Sequence, residues 1–416
     1  MFADVVLRGD FLGVRHDPAQ PQRRPAPRPD LRLRNVPLGP VAVFGASNFP
    51  LAFSVAGGDT AAALAAGCPV VVKAHSAHPG TAELVGRALQ AASIKCNMPR
   101  GTFSMLHGSG RIVGHKLVTD RRIKAAAFTG SRVGGGALME LAAKRPEPIP
   151  VYAEMSSLNP VILFPHALRT RGEQIAQAFV TSLLMGVGQF CTSPGILFAV
   201  NGPDLAAFLG HARSILEGQR AGTMLSRSIV SAYRAGVQRL MESDAACHVA
   251  QGLPASGPCG GQAHLFTTSL DAFITQPLLR EEVFGSSSIV VQCPDVKSIL
   301  EAMKTLEGQL TAGLHFDDDD TADVRPFIGV LETKVGRILA NGFGTGVEVT
   351  HAMVHGGGFP STSDGRSTSV GSLAINRFLR PVSYQDLPDS VLAPELRDAN
   401  PWNLSRRIDG RLYSNP

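Results

Sequence analysis

Short apolar runs alternate with longer amphipathic or small-residue stretches along most of the chain. Apolar runs of this length predict buried strands, and the longer stretches predict helices. In the first part of the chain, the predicted strands are 41–44, 70–73, 103–106, 123–128 and 149–153, and the predicted helices are 1–7, 51–66, 79–92, 112–118 and 133–144. Strands that alternate with helices predict an α/β fold with a mostly parallel sheet covered on both faces.

The same alternation begins again after residue 154. The predicted strands are 161–164, 196–200, 289–292 and 335–340, and the predicted helices are 171–185, 203–217 and 227–242, with a further helix from a cap at Asp295 to 305. We expect 245–262 to be a loop and 374–382 to be extended. The run of four aspartates at 317–320 predicts a solvated acidic turn, to which we give no metal role.

Composition places the chain among globular proteins. Its 416 residues, 44% of them hydrophobic and 18% charged, predict about two or three domains. Its six cysteines form no CxxC pair, which argues against zinc and disulfides and favours a reducing, cytoplasmic location. We expect no membrane span. The net charge of +5 fits anionic substrates or cofactors better than nucleic acid.

Residues 18–37 are rich in proline and arginine. Because proline removes backbone donors, we expect an edge or an arm here and not a central strand. Two interpretations stay open, namely a solvated linker and an arm that reaches a neighbouring subunit. The arginines alone would also support a nucleic-acid-binding protein, but no stacking aromatic residues are interleaved with them.

One cysteine, Cys191, lies in a glycine-punctuated loop between a predicted helix and a predicted strand. A thiol in a tight, partly exposed loop can act as a nucleophile when neighbouring groups favour the thiolate. The alternative is a buried structural cysteine, because free cysteines are among the most buried residues.

Polar residues also follow several predicted strands, where ligands bind in α/β sheets. Lys73 ends one strand, and Gly130 and Ser131 stand between a strand and a helix, where backbone N–H groups can meet a phosphate or a nicotinamide. Asn48 could stabilise an oxyanion together with the backbone N–H of the cysteine. Glu154 could activate water if its pKa were raised. A solvated lysine and a plain strand–helix turn remain open as alternatives.

Two histidines, His351 and His355, lie in a loop rich in glycine. Pairing of either one with Cys191 would suggest a cysteine hydrolase, but nothing in the spacing favours it. Glu281 and Glu282 would ordinarily be exposed charges.

Six short motifs occur in an order that resembles the aldehyde dehydrogenase superfamily, from about Pro37 onward. The motifs are Ser47-Asn48-Phe49-Pro50, Val71-Val72-Lys73, Phe128-Thr129-Gly130-Ser131, Glu154, Gln189-Phe190-Cys191 and Glu281-Glu282-Val283-Phe284-Gly285. The stretches 44–73, 151–160 and 353–386 look more narrowly like the bacterial α-ketoglutaric semialdehyde (2,5-dioxopentanoate) dehydrogenases. The implied fold is a Rossmann-type cofactor domain, an α/β catalytic domain and a small oligomerisation arm.

The resemblance implies a role for each motif in NAD(P)-dependent oxidation of an aldehyde. Cys191 would attack the aldehyde to give a thiohemiacetal, Asn48 would hold the oxyanion, hydride would pass to the nicotinamide, and Glu154 would activate the water that hydrolyses the thioester. The implied cofactor-binding residues are Lys73, Ser76, Arg111, Gly130, Ser131, Glu282 and Phe284.

Ala74-His75-Ser76 follows Lys73, where NAD-specific relatives commonly carry a glutamate. Without a carboxylate there, a 2′-phosphate meets no repulsion, and Lys73 with Ser76 could bind it. We therefore expect NADP to be accepted at least as well as NAD.

The resemblance also implies a domain division and an assembly. Residues 1–18 and 38–153 would form the NAD(P)-binding domain, 154–350 the catalytic domain, and 19–37 with 376–390 the oligomerisation segments of a homo-oligomer, either a dimer or a tetramer. The chain begins several dozen residues late for this family. An alternative is therefore a catalytically weak homologue with a structural or regulatory role.

Overall fold

A computed structural model describes residues 1–413, which form nineteen strands and eleven α-helices within that range. The strands are β1 (Arg15–Asp17), β2 (Leu31–Pro37), β3 (Val41–Phe44), β4 (Val70–Lys73), β5 (Phe103–Leu106), β6 (Ala125–Thr129), β7 (Val151–Glu154), β8 (Val161–Leu163), β9 (Ile196–Val200), β10 (Gly222–Thr223), β11 (Cys247–Gln251), β12 (Gly260–Gly261), β13 (His264–Ser269), β14 (Ser287–Cys293), β15 (Thr311–His315), β16 (Arg337–Ala340), β17 (Leu379–Gln385), β18 (Arg406–Ile408) and β19 (Arg411–Tyr413). The helices are α1 (Phe2–Arg8), α2 (Gly58–Ala65), α3 (Pro79–Lys95), α4 (His115–Thr119), α5 (Arg132–Ala143), α6 (Pro165–Leu184), α7 (Pro203–Glu217), α8 (Arg227–Met241), α9 (Leu270–Thr275), α10 (Val296–Thr305) and α11 (Thr321–Leu331).

The first half of the chain builds a five-stranded sheet in the order β5-β4-β3-β6-β7. All of its neighbouring strands are parallel. Its strands are short and rich in valine and alanine, and both faces are buried, as expected for a sheet covered by helices. Because the strands are parallel, the carboxyl ends of β4, β6 and β7 lie at the same end of the sheet. The polar residues that follow the predicted strands lie there.

The second half builds a seven-stranded sheet in the order β11-β13-β14-β9-β8-β15-β16. Only β11 runs antiparallel to its neighbour. Large aromatic side chains fill the core on one face, including Phe164, Phe198 and Phe266, all of which are almost fully buried. The predicted α/β architecture is confirmed.

A third sheet, in the order β17-β2-β1-β18-β19, combines the two ends of the chain. Strand β2 is hydrogen-bonded on both sides, to β17 and to β1. The expectation that 18–37 holds no central strand is therefore wrong for residues 31–37. The reason is that the prolines concentrate before residue 30, so β2 keeps its backbone donors except at its last residue, Pro37.

Several predicted elements differ from the structure, and some strands were not predicted. The helix predicted over 51–66 begins only at Gly58, because residues 50–57 form turns, with Phe53 N donating to the carbonyl of Phe49. The predicted loop over 245–262 contains β11 and β12. Strands β13 and β15 lie in stretches where no strand was predicted. The first part of the segment predicted to be extended from 374 is a 3₁₀ helix, Ser372–Phe378, and only β17 after it is extended.

The aspartate run at 317–320 is only partly solvated. Asp320 is buried, and its carboxylate accepts hydrogen bonds from the backbone N–H groups of His166 (3.0 Å) and Ala167 (2.9 Å) at the start of α6. A carboxylate is stabilising at that position because it satisfies free donors of the helix N-terminus. The predicted cap at Asp295 is confirmed, since its side chain accepts from Ser298 N at 2.7 Å.

Within residues 1–413, the structure has no helix that combines the length and the apolar character needed to cross a bilayer.

Candidate active site

Cys191 follows a tight turn at the end of α6. The 3₁₀ turn Met185–Gly188 contains three successive residues with positive φ, namely Gly186 (56°), Val187 (59°) and Gly188 (64°). A Cβ atom at Gly188 would lie 2.2 Å from the carbonyl carbon of Gly285. Only glycine permits this approach, so the turn fixes the cysteine loop directly against the loop that carries Glu282.

A buried asparagine, Asn159, holds the same loop from the other side. Its side-chain amide donates to the carbonyl oxygens of Cys191 (2.8 Å) and Ser193 (3.0 Å). Its Oδ1 accepts from the hydroxyl groups of Ser157 (2.9 Å) and Thr311 (3.2 Å). The backbone of the cysteine loop is therefore anchored to the segment that follows β7.

Asn48 is brought to the cysteine loop from the other sheet. Its Nδ2 donates to the carbonyl of Gln189 at 2.9 Å, two residues before Cys191. Nδ2 carries two hydrogens, so one donor remains for another acceptor. The backbone N–H of Cys191 hydrogen bonds to its own sulfur. The Asn48 amide and the backbone N–H of Cys191 are therefore two donors at the same loop, and such donors can hold an oxyanion.

Glu154 and Cys191 are joined by His355. The imidazole Nε2 lies 3.3 Å from Sγ of Cys191 and 2.9 Å from Oε1 of Glu154. The other carboxylate oxygen, Oε2, accepts from the hydroxyl of Ser369 at 2.8 Å. Glu154 and His355 are 3% and 1% exposed, whereas Cys191 is half-buried, so a reactant reaches the cluster from the sulfur side.

The glycine-rich segment 354–369 delivers His355 to this place. It leaves the seven-stranded sheet and crosses to the end of β7, where Met155 N donates to the carbonyl of Ser361 (2.7 Å) and Ser363 N to that of Ala153 (3.0 Å). The sequence alone did not favour a Cys–His pairing, because 164 residues separate Cys191 from His355. The structure brings these two residues together.

The titration behaviour of the two central groups differs from the expectations. Burial raises the pKa of the Cys191 thiol well above its ordinary value, and the carboxylates of Glu154 and Glu282 raise it further. Burial would also raise the pKa of Glu154, but His355, Ser369 and Arg377 outweigh it and lower that pKa. Glu154 is thus held as a carboxylate, and the thiol is held protonated until its proton has an acceptor.

A second buried pair lies behind Glu154. Arg377 is 3% exposed, and its guanidinium donates to Asp59 at 3.4 Å and to the hydroxyl of Ser367 at 3.1 Å. Burial raises the pKa of Asp59 to about 6, Arg377 opposes the shift, and the charge of Glu154 adds to it. Sequence reasoning missed Asn159 and Ser369, because a buried polar residue in a loop has no periodic signal, and it missed Arg377, because a single arginine in a short 3₁₀ helix gives no sign that it is buried beside a carboxylate.

Aromatic rings form the wall beside the sulfur. Phe49 packs edge-on against Phe190 with ring centroids 5.0 Å apart, and it also contacts Phe53 at 5.8 Å. Phe53 in turn lies 6.4 Å from the ring of His355. These rings place apolar surface beside His355, which strengthens electrostatic interactions there.

The residues expected to bind the adenosine part of the cofactor lie at the carboxyl ends of strands in the five-stranded sheet. Lys73 ends β4 and is 7% exposed, burial lowers its pKa, and its ammonium group makes no hydrogen bond or ion pair with any residue in 1–413. Ser76 is exposed in the loop that follows. Arg111 is also exposed, in the helical turn after the neighbouring strand β5.

Gly130 and Ser131 lie at the start of α5, where the Ser131 hydroxyl caps the helix by accepting from Gly134 N at 3.2 Å. A Cβ atom at Gly130 would lie 2.7 Å from the ring of Phe128, so a larger residue here would require that ring to move. Gly130 N also donates to the carbonyl of Glu154 at 3.0 Å, which ties this turn to the end of β7.

A cleft of about 470 Å³ opens between the start of α5 and the loop with Glu282. Ser131, Glu282 and Gly308 are among the residues that line it. The carboxylate of Glu282 accepts from the Ser156 hydroxyl and from Ser157 N, and burial raises its pKa to about 7. Phe284 is half-buried in the same loop.

These groups match the parts of a nicotinamide dinucleotide. A lysine without a protein partner suits phosphate or ribose oxygens, and a helix N-terminus next to glycine permits close approach of the ligand. A carboxylate beside the cleft suits ribose hydroxyls. The residues present therefore fit such a cofactor.

Comparison with known proteins agrees with this geometry. Residues 16–380 match the Aldehyde dehydrogenase family. The chain is 54% identical over 411 residues to alpha-ketoglutaric semialdehyde dehydrogenase 2 of Azospirillum brasilense, which covers 99% of this chain and 78% of that protein. It is 48% identical over 419 residues to alpha-ketoglutaric semialdehyde dehydrogenase of Acinetobacter baylyi, covering 100% of this chain and 79% of that protein.

A solved structure shares the fold at low identity. It is the glyceraldehyde-3-phosphate dehydrogenase GapN from Methanocaldococcus jannaschii complexed with NADP, at a TM-score of 0.75 and 17% identity, covering 92% of this chain and 78% of that one. The alternative of a catalytically weak structural homologue is not favoured by the two semialdehyde dehydrogenases. Since the family match and both of these relatives extend over almost all of the chain, it belongs to the aldehyde dehydrogenase family and is an oxidoreductase that acts on aldehydes.

Proposed function

We propose that the chain oxidises α-ketoglutaric semialdehyde to the corresponding carboxylic acid, with NADP or NAD as the oxidant. The substrate is inferred from the two relatives that share about half of their residues with this chain. The observation that carries the chemistry is the cluster of Cys191 Sγ, His355 Nε2 and a Glu154 carboxylate oxygen. A thiol that attacks the aldehyde and a carboxylate that later activates water are the groups that a thioester mechanism needs.

The first role belongs to Cys191 as the nucleophile. The proton of the half-buried Cys191 thiol leaves to water, and the Nε2–H of His355, which donates to Glu154 Oε1 at 2.9 Å and lies 3.3 Å from the sulfur, stabilises the thiolate. As the proton leaves, the sulfur attacks the carbonyl carbon and forms a thiohemiacetal. The oxyanion then accepts hydrogen bonds from Asn48 Nδ2 and from the Cys191 N–H.

The nicotinamide cofactor, when bound, supplies the chemistry of accepting a hydride. The chain's own part in cofactor binding falls to Lys73, Ser76 and Arg111 at one end, and to Gly130, Ser131, Glu282 and Phe284 at the other. His75 adds no charge to the ribose end at neutral pH, since burial lowers its pKa to about 4. No acidic residue stands between Lys73 and Ser76, so we expect kcat/KM with NADP to equal or exceed that with NAD. A large preference for NAD would contradict this.

Glu154 has the last role, which is to take a proton from the water that hydrolyses the thioester. Its lowered pKa keeps it ionised and able to accept a proton, but makes it a weaker base than the raised pKa expected from the sequence; Ser369 and His355 orient both of its oxygens. Hydrolysis restores the Cys191 thiol and releases the acid.

The test of this mechanism distinguishes hydride transfer from thioester hydrolysis. Glu154→Gln should still produce about one equivalent of reduced cofactor per active site in a rapid burst, and then turn over slowly, because only thioester hydrolysis needs the carboxylate. Cys191→Ser, as the control, should abolish the burst. Full turnover of Glu154→Gln would remove Glu154 from the mechanism. A panel of α-ketoglutaric, succinic and long-chain aldehydes, compared by kcat/KM, tests the substrate.

The proposal includes an assembly and a location. We propose a cytoplasmic homo-oligomer, a dimer or a tetramer, in which 19–37 and 376–390 contribute to the contact, with 1–18 and 38–153 binding the cofactor and 154–350 carrying catalysis. Support comes from the sheet that β2 forms with β17, which joins both segments. Light scattering of the purified protein tests the assembly, and a monomer would contradict it.

A further inference from the structure

Three side chains of the active site also have the composition of a metal site. Glu154, Cys191 and His355 each offer one ligand atom, and these atoms all lie within 4.8 Å of one another. Carboxylate oxygen, thiolate sulfur and imidazole nitrogen are the three side-chain donors that zinc takes in proteins. Within residues 1–413 no other group of three such residues lies so close together.

The spacing of the donors agrees with tetrahedral zinc. Bonds of about 2.3 Å to sulfur and about 2.0–2.2 Å to nitrogen and oxygen place the donors of a tetrahedral ion roughly 3.3–3.6 Å apart. Here, the imidazole Nε2 of His355 is 3.3 Å from sulfur and 2.9 Å from Oε1 of Glu154. The sulfur and the carboxylate oxygen lie within 4.8 Å of each other, so rotation of these two side chains would bring all three donors to one ion.

The supporting contacts hold the ligands in place. The Ser369 hydroxyl donates to the second oxygen of Glu154 at 2.8 Å, and the backbone N–H of His355 donates to Thr368 Oγ1 at 2.8 Å. Such contacts to ligating groups fix their orientation and raise metal affinity. Three protein ligands leave the fourth tetrahedral position for water. The bound water would lie on the side of the half-buried Cys191, and a small ion can enter the site from that side.

We propose that each chain binds one zinc ion through Cys191 Sγ, His355 Nε2 and Glu154 Oε1, and that this ion reversibly blocks aldehyde oxidation. On binding, the thiol releases its proton to solvent, and the neutral imidazole coordinates through Nε2 with its proton on Nδ1. No redox change is involved. The inhibitory consequence rests on the proposed function, because the ion occupies the nucleophile and the base at once. The binding itself does not.

The test measures metal binding without any turnover. Chelator-treated protein is incubated with Zn²⁺, desalted and analysed for metal content, and Co²⁺ is used as a spectroscopic probe for a thiolate-to-metal charge-transfer band. We expect one ion per chain and a cobalt–thiolate band. Cys191→Ser should remove the band, and His355→Gln and Glu154→Gln should each weaken Zn²⁺ binding by at least about tenfold. Circular dichroism and thermal midpoints establish that the variants are folded.

The matched controls are the two exposed cysteines, Cys96 and Cys247, which have no such neighbours. Cys96→Ser and Cys247→Ser should keep one ion and the band. Loss of the metal in either control, or its retention in folded Cys191→Ser and His355→Gln, would overturn the proposal. A protein that binds zinc but oxidises no aldehyde would refute the proposed function alone. An active enzyme without the band would refute this inference alone.

Discussion

Replacement of Asn159 by glycine tests whether its side chain anchors the cysteine loop around Cys191. Asn159 has φ 51°, a conformation that glycine adopts without strain, so the change removes the side-chain contacts and little else from the folded state. Its bonds to the carbonyls of Cys191 and Ser193 are lost. At about 0.5–1.5 kcal/mol each, the two bonds together contribute about 1–3 kcal/mol to keeping the loop closed.

A loss of this size should appear as local opening. Hydrogen exchange of the amides in 186–195 should accelerate roughly 5- to 150-fold, the equivalent of about 1–3 kcal/mol, and kcat should fall because the sulfur is no longer held in place. Asn97→Gly is the matched control, since Asn97 also has φ 51° but is exposed and makes no side-chain hydrogen bond within residues 1–413. If exchange over 186–195 in Asn159→Gly stays within about twofold of the control, the anchoring role is wrong.

Three further outcomes follow from single contacts. Gly188→Ala should prevent correct packing against Gly285 and abolish activity. Gly101→Ala is the control, because Gly101 also has a positive φ (87°) but open space around it, so this variant should keep activity. Equal activity in both variants would contradict the inference that a Cβ at Gly188 lies 2.2 Å from the carbonyl carbon of Gly285. Burial lowers the pKa of His315 from 6.5 to about 4, so the unfolded chain binds more protons in that window, and stability should fall by about 3 kcal/mol as the pH drops from 6.5 to 4. His315→Phe should flatten this part of the curve of thermal midpoint against pH, and an unchanged slope would refute the assignment. Lys73→Ala should raise KM for NADP with little change in kcat, and an unchanged KM would exclude Lys73 from the cofactor site.

The alternating sheet-and-helix architecture was predictable because its strands are continuous apolar runs. β9 and α7 begin and end where the pattern predicts. The missed strands have weaker patterns. β15 begins with threonine, contains a glycine and ends with histidine, and it is a strand because both of its neighbours in the sheet supply hydrogen bonds. That stabilisation is tertiary, so a local pattern cannot reveal it.

The candidate site was predictable in part, for a similar reason. Glu154 follows a predicted strand and Cys191 follows a predicted helix. The sequence pattern therefore predicts where in the fold each of them lies. His355 lies in a loop without periodicity, and its position depends on backbone pairing between residues 361–363 and the end of β7. The protonation states of Cys191 and Glu154 could not be predicted from the sequence either, because burial and neighbouring charges determine them only after the chain has folded.

The far-downstream position of His355 has a consequence for biosynthesis. The ribosome completes the segment with Glu154 and Cys191 long before it makes the histidine that joins them, 201 residues after one and 164 after the other. A nascent chain therefore carries its sulfur without the imidazole that contacts it until most of the polypeptide has emerged. The cluster forms only after residue 355 has been made, so a chain truncated before that residue would contain Cys191 and Glu154 but lack the group that joins them.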